Sequence, residues 1–547
     1  MKNIARYCNR RFFLKGVGVG LTLASTPGWA MTSTGSAVQV ETASGRVEGY
    51  RANGVSIFKG IPYAAPPVGS LRFRAPAPVT PWAGVLDATE YGASAPQYDR
   101  VRRAIYSSID EVETKDEDCL FLNVWTPATD GQRRPVMVWW HGGGFEVGSG
   151  SANWYDGQNL CHRGDVVVVT VNHRLNVFGH CYLAGVMGSD WADSGNVGFL
   201  DLVASLRWVK ENISRFGGDP DRVMIFGQSG GGRKVSLAMA SRDAEGLFHR
   251  AAVQSGSHLR VLTQSNAHQL TEQLLRELQL ERHQAHRLQD LDWITLHNAQ
   301  RRVLANMNMR FAPVWDDHVF HGHPWDPEAP TTSATVPMLV GTTRTELSSQ
   351  TGNDESVYGL NRAELEQRLG AYLPRSDISD IVDSFSAANP GADFTELFFL
   401  IISARGYVRN ADIQTERRAL AEQAHVYRYS LDWRTPVEEG RRLSPHSLDV
   451  PLVFDNVALA ESMVGPLTQE LEQTARQVSE AWVAFARDGK PGRLEGEDWA
   501  PYDLNTRMTM LLNAHSQLVS DPYRAERLVM ARYPSDQEDA RVQAHRR

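Results

Sequence analysis

Arg222-Val-Met-Ile-Phe226 runs without a break into Gly227-Gln228-Ser229-Gly230-Gly231-Gly232, and the reading of that junction decides the fold. The apolar run reads as a strand buried on both faces, and helical spacing follows Ser229. G-x-S-x-G between a strand and a helix is the nucleophile-elbow pattern, a turn so tight that only small neighbours fit beside the Ser. Working outward, Pro135-Val-Met-Val-Trp-Trp140 and Asp165-Val-Val-Val-Val-Thr-Val171 are two more nearly continuous apolar runs. Between the second of these and the elbow strand, residues 199–213 carry apolar residues at helical spacing. Strand, helix, strand, helix in succession predicts an α/β fold with a mainly parallel central sheet. Residues 38–60 alternate apolar and polar positions around Gly-containing turns, as hairpins do. Val336–Gly341 and Ala424–Ser430 read as further strands, and residues 262–305 and 360–425 as helical insertions.

A second element follows the strand ending at Trp140: His141-Gly142-Gly143-Gly144-Phe145. Successive glycines let backbone N–H groups converge on one point, as a tetrahedral oxyanion requires, each donor lowering the barrier by roughly 3 kcal/mol. A Ser elbow paired with such a cradle narrows the chemistry to acyl transfer.

From about residue 40 to 525 the sequence resembles the type B carboxylesterases, the cholinesterase-like branch of the α/β-hydrolases. Glu117-Asp-Cys-Leu-Phe-Leu-Asn-Val-Trp-Thr-Pro127 is the most specific block. Phe58–Ala64, Pro66–Gly69, Leu71–Phe73, Asn172–Leu175, Ser194–Asp201 and Phe216–Pro220 match others in order. The resemblance implies an α/β-hydrolase fold with helical insertions and a Ser–Glu–His triad in that chain order. The family's acid block is matched by Val336-Pro-Met-Leu-Val-Gly-Thr-Thr-Arg-Thr-Glu346, pointing to Glu346. Its base precedes a D-x-P-x-V-F block, matched by Pro445-His446-Ser-Leu-Asp-Val-Pro-Leu-Val-Phe454, pointing to His446. With Ser229 as nucleophile, the oxyanion donors implied are the N–H groups of Gly143, Gly144 and Gly230.

Three departures from the family pattern bear on chemistry. Gln228 stands where Glu is usual, so one negative charge near the catalytic His is missing and a preference for cationic substrates should weaken. The loop from Ala95 to Asp118 contains Tyr98 and Tyr106 but no Trp to hold a choline, which makes choline esters poor candidates. Ala95-Pro96-Gln97 replaces the family's C-P-Q, so Cys119 lacks its usual disulfide partner; whether Cys161 and Cys181 pair stays open. Two other patterns carry less. Asp316, Asp317, His318, His321, His323 and Asp326 are metal-ligand types, but Phe311–Asp316 looks like the family's loop before the acid-bearing strand. Asn212-Ile-Ser fits a glycosylation acceptor but sits on a predicted helix and is set aside.

The 547 residues are 42% hydrophobic and 22% charged, with a net charge of −8 and four cysteines. Disorder, a disulfide scaffold and nucleic-acid binding are excluded on those grounds. Residues 1–30 read as a signal peptide: a basic start, a short apolar run and a small-residue end at Gly28-Trp-Ala30. Within it, Asn9-Arg-Arg-Phe-Phe-Leu-Lys15 resembles the twin-arginine export motif. Its removal takes away Lys2, Arg6, Arg10, Arg11, Lys15 and Cys8 and no acid, which moves the net charge to −13 and leaves three cysteines. No segment is long enough for a stable membrane span. One hydrolase domain over residues 31–533 is expected, with a frayed polar tail over 534–547.

The expectation is therefore an exported, periplasmic or secreted serine carboxylic-ester hydrolase that acts on a small-molecule ester, needs no cofactor and no metal, and works through an acyl-enzyme on Ser229. An amidase or carbamate hydrolase would use the same triad, and a non-catalytic binding protein would keep only the fold. The sequence leaves the natural ester, the pocket size and the oligomeric state open.

Overall fold

Alternate residues of Arg134–Trp140 belong to different cores. Val136, Val138 and Trp140 pack with Leu202, Leu206 and Val209 of the helix Val197–Asn212. Met137 and Trp139 pack with Val478, Trp482 and Phe485 of the helix Gln469–Asp488. Side chains of a strand point alternately to opposite faces, so a strand covered by helices on both sides must be apolar throughout. All seven residues of this strand are buried; Arg134 at its start pairs with Asp130 and Asp165, and the six residues after it read as one continuous hydrophobic run.

The structure is a computed structural model that describes residues 35–98, 103–112 and 114–537. The expected signal peptide and its cleavage site lie outside the described residues. Within the unit Ser36–Arg547, one sheet of thirteen strands organises the chain. In chain order these are β1 (Ala37–Thr42), β2 (Gly45–Ala52), β3 (Val55–Pro62), β4 (Val85–Asp87), β5 (Phe121–Thr126), β6 (Arg134–Trp140), β7 (Val167–Val171), β8 (Gly218–Gln228) and β9 (Arg250–Gln254), then β10 (Met338–Thr343), β11 (Val426–Leu431), β12 (Met508–Leu512) and β13 (Gln517–Ser520). The spatial order is β1-β2-β3-β5-β7-β6-β8-β9-β10-β11-β12-β13, with β4 paired to β2. Pairing is parallel from β7 to β12 and antiparallel among β1, β2, β3, β5 and β7 and between β12 and β13. This is the α/β-hydrolase arrangement, a mainly parallel sheet with helices on both faces. Ligands of such sheets bind beyond the carboxyl ends of the parallel strands, and β8 and β10 lead into Ser229 and Glu346 there.

The two helical insertions each bury an apolar cluster of their own. The first holds the helices Gln264–Glu277 and Trp293–Ala305, whose Leu270, Leu274, Leu296 and Val303 close on Phe73, Phe178 and Trp191. The second packs Leu365, Ile381, Phe385 and Phe399 against one another and against Val529 and Met530. Inside it, the helix Phe394–Ser403 passes through a single π-turn, Ala404–Val408, before continuing as Arg409–Leu420. Such turns insert an extra residue and recur at functional sites.

Among the described residues no helix is long and apolar enough to cross a membrane. Cys119, Cys161 and Cys181 are all buried and unbonded, so Cys161 and Cys181 do not pair. The expected fraying does not start at Pro534. Ser535 and Asp536 are each 1% exposed, because the side chain of Asn410 bonds both of them. The Asp/His group near residue 320 disperses. Asp316 caps its own turn through the N–H groups of His318, Val319 and Phe320, Asp326 pairs with Arg260 and Arg417, and His318 pairs with Asp193.

Candidate active site

Ser229 follows the last residue of β8 with φ 57° and ψ −119°, a region that residues with a Cβ adopt only under strain. The turn is held by its N–H bonded to the Gln254 carbonyl of the adjacent strand (2.8 Å) and its carbonyl bonded to the Arg233 N–H (3.0 Å). The helix Gly230–Ala240 then starts against β6 so closely that a Cβ on Gly231 would lie 1.9 Å from the Trp140 carbonyl oxygen. Only glycine fits there. Ser229 itself remains partly exposed while Gln228 and Gly230 on either side are buried.

The glycine loop after β6 closes over this turn. A Cβ on Gly230 would sit 2.4 Å from Gly144 N, and one on Gly142 would reach within 3.6 Å of Ser229 Cβ. Gly143 and Gly144 adopt φ values of 91° and 66°, which redirect their backbone in a way open to glycine. Gly143, Gly144 and Gly230 are thus brought together beside Ser229. The loop is anchored from beneath by the buried Lys234, whose Nζ donates to the His141 carbonyl (3.0 Å). Burial and the neighbouring Arg233 hold the Lys234 amine well below its usual range.

Glu346 and His446, 100 residues apart, meet across the ends of β10 and β11. The carboxylate is fully buried and accepts the Thr343 N–H at Oε1 (2.9 Å) and a hydrogen bond from His446 Nδ1 at Oε2. The His446 N–H also bonds the Glu346 carbonyl (3.2 Å), so backbone and side chain lock the pair in one orientation. In the neutral ring, with Nδ1 protonated and facing the carboxylate, Nε2 keeps its lone pair as an acceptor. The Gln228 amide nitrogen lies 3.2 Å from Nε2 and 3.3 Å from Nδ1, and the Ser447 hydroxyl holds that amide by donating to its oxygen (3.1 Å). The departure at residue 228 therefore falls directly on the imidazole. Burial lowers the His446 pKa, but Tyr407, Glu346 and Asp449 outweigh it and raise the ring to about 9.

Three further residues belong to this site that motif reading passed over. The Tyr407 ring, carried by the π-turn, lies 4.9 Å from the His446 ring. Tyr106 OH donates to the His446 carbonyl (3.0 Å). Asp449 is fully buried, accepts from Gln254 Nε2 and Tyr429 OH (3.0 Å each) and is pushed up to about 6 by burial. Asp449 was legible only as a landmark of the His block. Tyr407 sits in an insertion with no motif, and helical periodicity cannot announce a π-turn.

A strained Ser at a strand–helix elbow, a glycine cradle touching it and a buried His–carboxylate pair define a hydrolase of the α/β class. Comparison with known proteins narrows the class. The model of the Carboxylesterase family matches residues 36–531. Para-nitrobenzyl esterase of Bacillus subtilis is 35% identical over 504 residues, 89% of this chain and 97% of the relative. Phenmedipham hydrolase of Pseudarthrobacter oxydans is 33% identical over 478 residues, 82% and 90% of the two chains. The crystal structure of a Geobacillus stearothermophilus carboxylesterase superposes with a TM-score of 0.79 at 36% identity, covering 90% of this chain and 99% of that one. The chain belongs to the carboxylesterase family and is a carboxylic-ester hydrolase.

Proposed function

We propose that the protein is an exported serine esterase working through an acyl-enzyme on Ser229. Ser229 Oγ attacks the acyl carbon as its proton passes to His446 Nε2, and Glu346 stabilises the imidazolium. The N–H groups of Gly143, Gly144 and Gly230 bind the oxyanion. Collapse expels the alcohol with the proton from His446, and a water activated by the same imidazole releases the acid and restores Ser229. The observation that carries this reading is the buried His446–Glu346 pair, whose ring lies against Gln228, the residue immediately before the strained, partly exposed Ser229.

The direct test uses 4-nitrophenyl acetate and an organophosphate. A burst of nitrophenol stoichiometric with enzyme, and a phosphoryl mass on the Ser229 peptide, are expected. Steady hydrolysis by Ser229→Ala at the parent rate would refute the assignment. Export rests on the twin arginines: Arg10→Lys with Arg11→Lys should leave the protein in the cytoplasm of the producing bacterium, and unchanged fractionation would overturn that part alone.

A further inference from the structure

The family match stops at residue 531, yet the chain continues in contact with both sides of the site. On one side, Arg409 Nε donates to the Tyr533 carbonyl and Arg405 Nη1 to the Pro534 carbonyl (3.1 Å each). Ser535 donates to Asn410 Oδ1 (2.7 Å), and Asn410 Nδ2 donates to Asp536. All three partners lie on the π-turn Ala404–Val408 or in the first residues of the helix after it, and that turn carries the Tyr407 ring beside His446.

On the other side, one carboxamide clamps a loop. Gln537 Oε1 accepts the N–H groups of Leu259 (2.9 Å) and Arg260 (3.2 Å), and its Nε2 donates to the Ser257 carbonyl (2.9 Å). This loop leaves β9 at the floor of the nucleophile, where a Cβ on Gly256 would lie 2.5 Å from the Ser229 carbonyl oxygen. Its His258 ring packs 5.5 Å from the ring of Phe145, the residue after Gly144. Leu259 is 1% exposed, and a buried backbone N–H left without an acceptor forces its segment to move or hydrate.

We propose that Pro534–Gln537 is a strap that holds two walls of the substrate pocket in register, and that Gln537 is a specificity-determining residue. The strap sets which acyl and alcohol groups fit between the His258 wall and the Tyr407 wall, leaving the reacting groups of Ser229, Glu346 and His446 in place. The inference rests on the Ser229 reading of the site and concerns selectivity within it.

The test compares the full chain with a chain ending at Gln537, a chain ending at Tyr533, and the full-length variants Gln537→Ala and Gln537→Glu. The readout is kcat and KM on nitrophenyl esters from acetate to decanoate, with thermal unfolding alongside. The chain ending at Gln537 should match the full chain. Gln537→Ala and the chain ending at Tyr533 should keep Ser229-dependent hydrolysis of the acetate but change the decanoate-to-acetate ratio of kcat/KM by about tenfold or more, mainly through KM. Gln537→Glu, which retains the acceptor and loses the donor to Ser257, should fall between. If the chain ending at Tyr533 does not fold, Gln537→Ala decides. A folded Gln537→Ala with the parent ratio to within about twofold overturns the proposal, since a displaced wall costs far more than that. Failure of the hydrolase reading has a different signature: no Ser229-dependent turnover of any ester by the full chain.

Discussion

Glu346→Gln removes a charge without removing volume, and the surroundings of the carboxylate set the cost. Its two oxygens serve two donors, the Thr343 N–H at 2.9 Å and His446 Nδ1. A carboxamide has one acceptor and one donor end. If its oxygen stays with Thr343, its NH2 faces Nδ1 and selects the tautomer with the proton on Nε2, which cannot accept the Ser229 proton. If its oxygen faces Nδ1, the NH2 is pressed against the Thr343 N–H, and an unpaired buried donor costs about 1–3 kcal/mol. Either way, the imidazolium formed in the transition state loses its carboxylate. Losing tautomer and charge together should cut kcat/KM by about 10³- to 10⁴-fold, roughly 4–5.5 kcal/mol at 1.36 kcal/mol per decade. The pH profile supplies a second readout. A general base acts in its neutral form, so with His446 raised to about 9 parent kcat/KM should climb with pH across the neutral range and level off above about 9. Removing the carboxylate takes away one of the influences that raise the ring and leaves burial, which lowers it, so the residual activity should level off at lower pH. The assay is kcat/KM for 4-nitrophenyl acetate from pH 6 to pH 10, with thermal unfolding to verify the fold. A folded variant within about tenfold of the parent and with an unmoved pH limb would refute this account of the pair.

Gln228→Glu places a carboxylate against the imidazole; it should move the acid limb to higher pH and favour cationic over neutral esters, and unchanged relative rates would sink the idea. Gly231→Ala puts a Cβ 1.9 Å from the Trp140 carbonyl oxygen and should destabilise the fold by more than about 3 kcal/mol in urea titration; a midpoint near the parent's would count against the close approach. The three cysteines are buried and unbonded, and burial pushes the Cys181 thiol up to about 12. Ellman's reagent should therefore find almost nothing in native protein cleaved after residue 30 and three thiols after denaturation; one thiol would reveal a disulfide.

The legible part of the fold was the part written in adjacent residues. β6 after Arg134, β7, and β8 from Val223 to Phe226 are nearly continuous apolar runs because both faces are covered, and their positions agree with the reading to within a few residues. The elbow was legible because its constraint is short-range: a Ser held at φ 57° needs glycine beside it. Glu346 and His446 carry no local signal of that kind and were reached only through family blocks. Tyr407, Lys234 and the strap at Gln537 had no signal at all. An aromatic in an amphipathic insertion, a Lys on a helix and a polar C-terminal run each have an ordinary surface reading until their neighbours are known.

The sequence by itself determined the α/β order of elements, the Ser elbow and the glycine cradle after β6, because periodicity and backbone sterics act over a few residues; the missing partner of Cys119 was legible only through the family resemblance. The tertiary structure alone decided that Gln228 lies against the His446 ring, that a π-turn delivers Tyr407 to it, and that Ser535 and Asp536 are buried instead of frayed. Those are meetings of segments from about forty to more than two hundred residues apart. They depend on the path of the whole chain and on which buried polar groups are left for a distant side chain to satisfy.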